Sequence, residues 1–242
     1  MPASRISLRE AVDLTRTGDV WLFRGRSVAD RAIQAATNSP VNHVGMALTI
    51  EDLPPLMWHA ELGRSLEDLW SGGHRRGVQL HDLHDAVTVW ADRYGQRAWL
   101  RQLRLPPGSA ADPAGLARQH GLEDDALRTV ARLSGTPFPS TAALAGRWLA
   151  GRAGRLPTLQ AVRSLRGSQG LSGLRNLRQA RLEEVLETAY CAEVVAATYT
   201  AMGLLPPGRK VNWYDPGRFW SGDDLDLGLG ARLGREIEVT VP

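Results

Sequence analysis

Five short segments between residues 19 and 105 alternate apolar side chains with small or polar ones, and this alternation constrains the fold more than any other feature. In chain order they read DVWLFRG, HVGMALTI, LMWHAEL, GVQLHDL and AWLRQLRL. Segments of this length and period are typical of β-strands that bury one face. Because they follow one another closely along the chain, they predict a mostly antiparallel sheet.

Helices are predicted on both sides of these strands. Ser7–Glu10 has the S-x-x-E form of a capping box, and residues 27–40 run from a serine cap to a proline stop. Farther along, residues 116–135 and 190–203 carry apolar side chains at helical spacing. Strands and helices that are segregated in this way predict the α+β class.

The composition limits the kind of protein this is. The chain has 242 residues, of which 43% are apolar and 23% charged, so it can bury a sizeable core. We expect a single domain over residues 1–242. The first residues contain no apolar leader, and no apolar run approaches the ~18 residues of a membrane span. A single cysteine, Cys191, excludes an internal disulfide, and we expect a cytoplasmic protein.

An arginine-rich insert at about 146–182 interrupts this domain and contains no Asp or Glu. Its arginines are Arg147, Arg152, Arg155, Arg163, Arg166, Arg175, Arg178 and Arg181. Apolar residues recur in it at three- and four-residue steps, so it is either a stripe packed on the domain with solvated arginines or a peripheral contact to an anionic membrane surface. Nucleic acid is not expected as a partner, because aromatic residues are not interleaved with the arginines.

His43 stands at the start of a segment that otherwise reads as an apolar strand. Side chains alternate along a strand, so Val44 and Met46 point into a core while His43 and Gly45 share the other face. On the next strand Met57, His59 and Glu61 share one face. Polar groups of two adjacent strands are therefore predicted to converge.

Cys191 lies at the beginning of the predicted helix 190–203. If Thr188 is the N-cap, Cys191 falls in the first turn, where free backbone N–H groups and the helix dipole favour a thiolate and lower the pKa of the thiol. The same N–H groups are suited to stabilise an oxyanion. Tyr190, beside it, is either an oxyanion donor or a packing residue.

The segment TGDVWLFRGRSVADRAIQAATNSPVNHVGMAL, followed far downstream by GTPF and YCAEVVAATYTAMGLLP, resembles the circularly permuted papain-like group. This group contains the NlpC-type, YiiX-like thiol amidases related to lecithin:retinol acyltransferase. The resemblance covers roughly half of the chain in separated blocks and places the histidine before the cysteine. It implies a permuted papain-like fold, a nucleophile at Cys191, a general base at His43, and an orienting residue that is either His59 or Glu61.

The function predicted from these features is that of a cysteine-dependent hydrolase or acyltransferase acting on an amide or ester bond of a peptide, acyl-amide or lipid. The alternative is a lipid-surface or protein-binding module on an inactive papain-like scaffold. No cofactor is predicted. No metal site is predicted either, because the HDLHD segment, residues 81–85, lacks a second ligand cluster and is interpreted as a surface turn.

Overall fold

The structure is a computed structural model that describes residues 4–26, 39–106, 113–137, 190–220 and 225–242. The predicted insert at 146–182 lies outside the described residues, as does most of the predicted helix 27–40. Within the described ranges, seven strands form one sheet in the order β1-β9-β6-β2-β3-β4-β5. These strands are β1 (Arg5–Ser7), β2 (Val20–Arg24), β3 (His43–Leu48), β4 (Leu56–Glu61), β5 (Gly77–Asp82), β6 (Arg97–Arg101) and β9 (Ile237–Thr240).

Only β1 and β9 pair in parallel in this sheet, and the other neighbouring strands that the structure describes pair antiparallel. A separate ribbon joins β7 (Leu103–Arg104) to β8 (Arg232–Leu233). The prediction of an α+β protein with a mainly antiparallel sheet is confirmed.

The helices begin and end where local chemistry favours it. Helix α1 (Leu8–Leu14) starts with the predicted capping box, in which Ser7 and Glu10 satisfy each other's backbone N–H groups. Helix α2 (Leu83–Tyr94), which the sequence did not predict, is capped by the Asp82 side chain and ends at Gly95 in the left-handed conformation. Helix α3 is Pro113–Leu133. Residues 190–201 form helix α4, and the chain leaves it near Gly203, whose φ is +70°.

The sheet separates two apolar clusters, which we name by the helix that covers each face. The α4 face carries Val20, Val44, Met46 and Trp58, packed against α4 and against Leu122, Ala126 and Val130 of α3. The α2 face carries Trp21, Phe23, Ala47 and Met57, packed against α1 and α2. The alternation predicted for β3 and β4 is confirmed, because Val44 and Met46 lie on one face and Ala47 on the other.

Candidate functional site

Three histidines form a hydrogen-bonded row across β3, β4 and β5. His43 Nε2 lies 3.2 Å from His59 Nδ1, and His59 Nε2 lies 2.9 Å from His81 Nδ1. The His43 and His59 rings also pack edge-on against Trp90 of α2, with ring centroids 5.2 and 4.8 Å from the indole. The row therefore belongs to the α2 face, and we call it the histidine row.

The strand register produces this row. His59 of β4 lies opposite Gln79 of β5, and Met57 lies opposite His81. His59 and His81 are therefore diagonal neighbours on the same face of the sheet. Gly45 leaves the space beside them, because a Cβ there would lie 2.4 Å from Met57 Sδ and 3.4 Å from His59 Cβ. The space left by the missing side chain of Gly45 is thus filled by side chains of the adjacent strand β4.

Glu61 lies beside the row but has its own anchor. Ser65 Oγ lies 2.8 and 2.7 Å from the two oxygens of the Glu61 carboxylate, and Trp90 Nε1 donates to Ser65 Oγ at 3.1 Å. Glu61 is buried, and burial raises the pKa of its carboxyl. It is therefore held by the loop after β4, whereas His59 contacts the imidazole of His43.

Burial sets the protonation of the histidine row. His59 and His81 are 0% and 1% exposed, and His43 at 8% retains the most contact with solvent. Burial, and secondarily neighbouring histidines, lowers the pKa of His43 to about 3 and that of His59 well below its usual value. Burial also lowers the pKa of His81 to about 4, although Asp68 opposes the shift. All three rings are neutral near pH 7.

Two buried polar atoms next to the row have no hydrogen-bond partner among the described residues. They are His81 Nε2 and Gln79 Oε1. The Gln79 amide nitrogen is oriented by backbone carbonyls, including that of Arg75 at 2.6 Å. Buried polar atoms without partners are rare in folded proteins and call for an explanation.

Cys191 lies on the other side of the sheet. It is 0% exposed and belongs to the apolar cluster of the α4 face, with Val44 and Val194. Helix α4 is tied to this face by the Trp58 Nε1 donor, which lies 3.0 Å from Thr198 Oγ1. The predicted N-cap, Thr188, lies outside the described residues. Tyr190 is buried in the same cluster, 7% exposed.

The predicted site residues thus divide into two groups. His43 and His59 are brought together as the strand pattern predicted, with Glu61 close by. Cys191 and Tyr190 belong to the apolar cluster of the α4 face, and the Nε2 atom of the His43 ring contacts His59 Nδ1.

Sequence reasoning missed His81. The interpretation of HDLHD as a surface turn is wrong for this residue, because β5 continues to Asp82 and His81 is buried. Its signal was the alternation of GVQLHDL, in which Val78 and Leu80 face one way and Gln79 and His81 the other. In the rest of the segment Leu83 is buried, Asp82 is half-buried, and His84 and Asp85 are exposed; the side chains of Asp82, His84 and Asp85 lie close together.

No family model matches the chain, and a search of curated proteins finds no significant match. In the part of the chain that the structure describes, no helix has both the length and the apolar character needed to cross a membrane.

Proposed function

We propose that this chain is a cysteine-dependent hydrolase or acyltransferase that acts on an amide or ester bond, with a circularly permuted papain-like fold. Cys191 is the nucleophile, His43 the general base and His59 the orienting residue. The observation that supports the proposal is the buried contact of 3.2 Å between His43 Nε2 and His59 Nδ1. A base whose far ring nitrogen is held by a second polar side chain is what a thiol triad needs.

The same geometry favours His59 over Glu61 as the third residue. Both oxygens of the Glu61 carboxylate are within hydrogen-bond distance of Ser65 Oγ, whereas His59 Nδ1 faces the base directly. We therefore assign Glu61 a supporting role through the loop that follows β4.

The proposed reaction uses the ring nitrogen of His43 that does not contact His59. Because Nε2 of His43 contacts His59, Nδ1 is the atom that takes the proton from the Cys191 thiol. The sulfur attacks the carbonyl carbon, and the leaving amine or alcohol takes the proton back from Nδ1 as the thioester forms. Water, or an acceptor hydroxyl or amine, then attacks the thioester, gives its proton to Nδ1 and releases the thiol.

The proposal requires Cys191 Sγ and His43 Nδ1 to meet at the end of β3. His43 is the first residue of that strand and the most exposed member of the histidine row. Helix α4, which carries Cys191, packs on the same strand from the other side.

Incubation with panels of peptides, acyl-amides and phospholipid esters, followed by mass spectrometry, tests the proposal. We expect an acyl adduct on Cys191, absent from Cys191→Ser, and the panel that gives the adduct identifies the substrate class. His84→Ala is the matched control, because His84 is an exposed histidine outside the row. Folded protein that forms no adduct with any panel contradicts the proposal.

A second candidate is a binding scaffold without catalysis. It is favoured by the complete burial of Cys191 among apolar side chains, since structural buried cysteines are inert. In that case iodoacetamide modifies Cys191 only after denaturation, and modification of the folded protein at neutral pH rules this candidate out.

The arginine-rich insert supports a separate proposal, an anionic membrane surface as partner. Its eight arginines without an acidic residue provide the charge for such a contact. Sedimentation with anionic vesicles should show binding that weakens with salt and that disappears when residues 146–182 are deleted. Absence of binding at low salt contradicts it.

A further inference from the structure

We propose that His59, Glu61 and His81 form an internal site for a divalent transition metal ion of the zinc class. One ligand atom from each of the three side chains lies within 4.8 Å of the others, and all three residues are buried in the sheet. Two imidazoles and one carboxylate are a ligand set that Zn²⁺ takes, with a fourth position left for another donor.

The groups around these three residues have the arrangement that metal ligands require. A histidine that binds a metal usually donates its other ring N–H to a fixed acceptor, and ligating carboxylates are themselves hydrogen-bonded. His59 Nδ1 faces His43 Nε2 at 3.2 Å, and Ser65 Oγ, itself held by Trp90, contacts the Glu61 carboxylate. Both outer contacts are therefore already formed.

One buried atom without a partner among the described residues gives an independent indication. Gln79 Oε1 belongs to the residue directly opposite His59 on β5. Gln79 is 0% exposed, and its orphaned oxygen is a neutral donor suited to the fourth position. A metal ion at this place would explain why the fold keeps this oxygen buried.

The spacing of the two imidazoles is compatible with a shared ion. His59 Nε2 and His81 Nδ1 are 2.9 Å apart, with one proton between them. Two nitrogens on a tetrahedral Zn²⁺, each at about 2.0–2.1 Å from the ion, are about 3.3 Å apart. The rings therefore need to separate by only a few tenths of an ångström for the ion to replace that proton.

Metal binding would act on the proposed base, and this consequence rests on the proposed function. An ion shared with His81 takes the Nε2 lone pair of His59, so the His59 proton must lie on Nδ1. From there it is donated to His43 Nε2, which leaves the His43 proton on Nδ1. In that tautomer Nδ1 cannot accept the Cys191 proton. The ion therefore switches the base off without touching the thiol.

Zinc titration of the demetallated full-length protein against a chromophoric chelator tests the site, with Co²⁺ absorption spectra to report nitrogen ligation. We expect one ion per chain. His81→Ala and Glu61→Gln should each weaken binding at least about 10–100-fold, the loss typical even of outer-shell changes. His84→Ala and Cys191→Ser should leave it unchanged. Circular dichroism with chelator present checks folding, and Glu61→Gln conserves side-chain volume.

Absence of zinc binding, or binding that survives both internal substitutions, overturns the site. Binding that is lost in His84→Ala assigns the ion to the exposed group Asp82, His84 and Asp85, and binding lost in Cys191→Ser assigns it to the thiol; either result also overturns the proposal. The switch is read separately by ¹⁵N chemical shifts of His43, which should show the proton on Nδ1 in the zinc form. Because neither measurement uses substrate, failure of the proposed hydrolase leaves both results interpretable.

Discussion

The two faces of the main sheet bury side chains of different chemistry. On the α4 face Met46 and Trp58 meet an apolar helix, and the polar links to that helix include the contacts of Trp58 Nε1 with Thr198 Oγ1 and of Tyr199 Oη with the Gly18 carbonyl. On the α2 face three histidines and Gln79 are buried among Trp90 and other apolar residues. Burial of a polar group costs free energy unless it is hydrogen-bonded.

Burying polar, titratable side chains therefore costs the α2 face folding free energy that the apolar α4 face does not lose. The α4 face could be filled by many apolar combinations of the right volume, because hydrophobic packing tolerates substitution. The α2 face depends on a particular set of hydrogen bonds, formed by histidine and carboxyl side chains that belong to titratable residue types. We therefore expect the two faces to respond differently to pH and to substitution, except at the end of β3 where the proposed reaction joins them.

The largest effect is expected when this connection is removed. With the acyl donor that labels Cys191, His43→Ala should lower the rate of acylation by about 10³-fold or more, because a triad without its base retains little activity. His59→Gln should have a smaller effect, with Glu61→Gln smaller still. Rapid-quench mass spectrometry measures the rate, and His43→Ala with wild-type acylation would show that the two faces act independently.

A second prediction concerns acid stability of the α2 face. In the unfolded chain these histidines have pKa values near ~6.5, whereas in the fold they are about 3 for His43 and about 4 for His81. The unfolded state binds more protons between these values, so the stabilisation is present above about pH 6.5 and is lost as the pH falls towards 4. We expect a loss of several kcal/mol, measured by urea unfolding with chelator present.

Two variants check the origin of this loss. His81→Gln should make the dependence shallower. Burial raises the pKa of Asp19 to about 6, so its folded form binds a proton in the same window and its contribution to stability is lost as the pH rises through 6. Asp19→Asn should therefore make the loss on acidification steeper. An unchanged slope in both variants would assign the acid lability to other groups.

The third prediction concerns the thiol on the α4 face. If His43 Nδ1 and a helix N-terminus act on Cys191, iodoacetamide reactivity should show an inflection about one unit or more below ~8.5, and His43→Ala should raise it. Alkylation rates from pH 5 to 10, with the adduct located by mass spectrometry, measure this inflection. A value at or above ~8.5 would place Cys191 among the inert buried thiols.

The smallest effect is expected from a change confined to the α4 face. Trp58→Phe removes the Nε1 donor that contacts Thr198 and leaves a small cavity, at a cost of about 1–2 kcal/mol. The pH dependence of unfolding should be that of the wild type, because the substituted side chain points away from the histidines. A changed pH dependence in Trp58→Phe would show that the faces are energetically coupled through β4.

The sequence predicted the parts of the site that depend on strand alternation. His43 and His59 were assigned to converging faces because each lies in a segment with a clear period of two. His81 was missed because it stands one residue before the N-cap of α2, where a strand end and a surface turn have the same polar composition. Helix α2 was not predicted, since β-branched Val87 and Val89 weaken its helical pattern.

The position of Cys191 relative to His43 cannot be predicted from strand alternation. Alternation assigns side chains to one face or the other within a strand, but it does not say which helix covers which face. That choice is made by long-range packing, such as the contact of Trp58 with Thr198, 140 positions away along the chain. Spacing within a single segment carries no information about it.

The position of β9 in the sheet has a consequence for synthesis of the chain. This strand lies between β1 and β6, and Glu238 on it binds Arg5 and Arg97 on either side. Among the described strands β1 pairs only with β9, so until residues 237–240 leave the ribosome β1 lacks this neighbour and β6 has an open edge that can pair with another molecule. A nascent chain stalled just before β9 should therefore be the form most prone to aggregate, and the one that chaperones bind best.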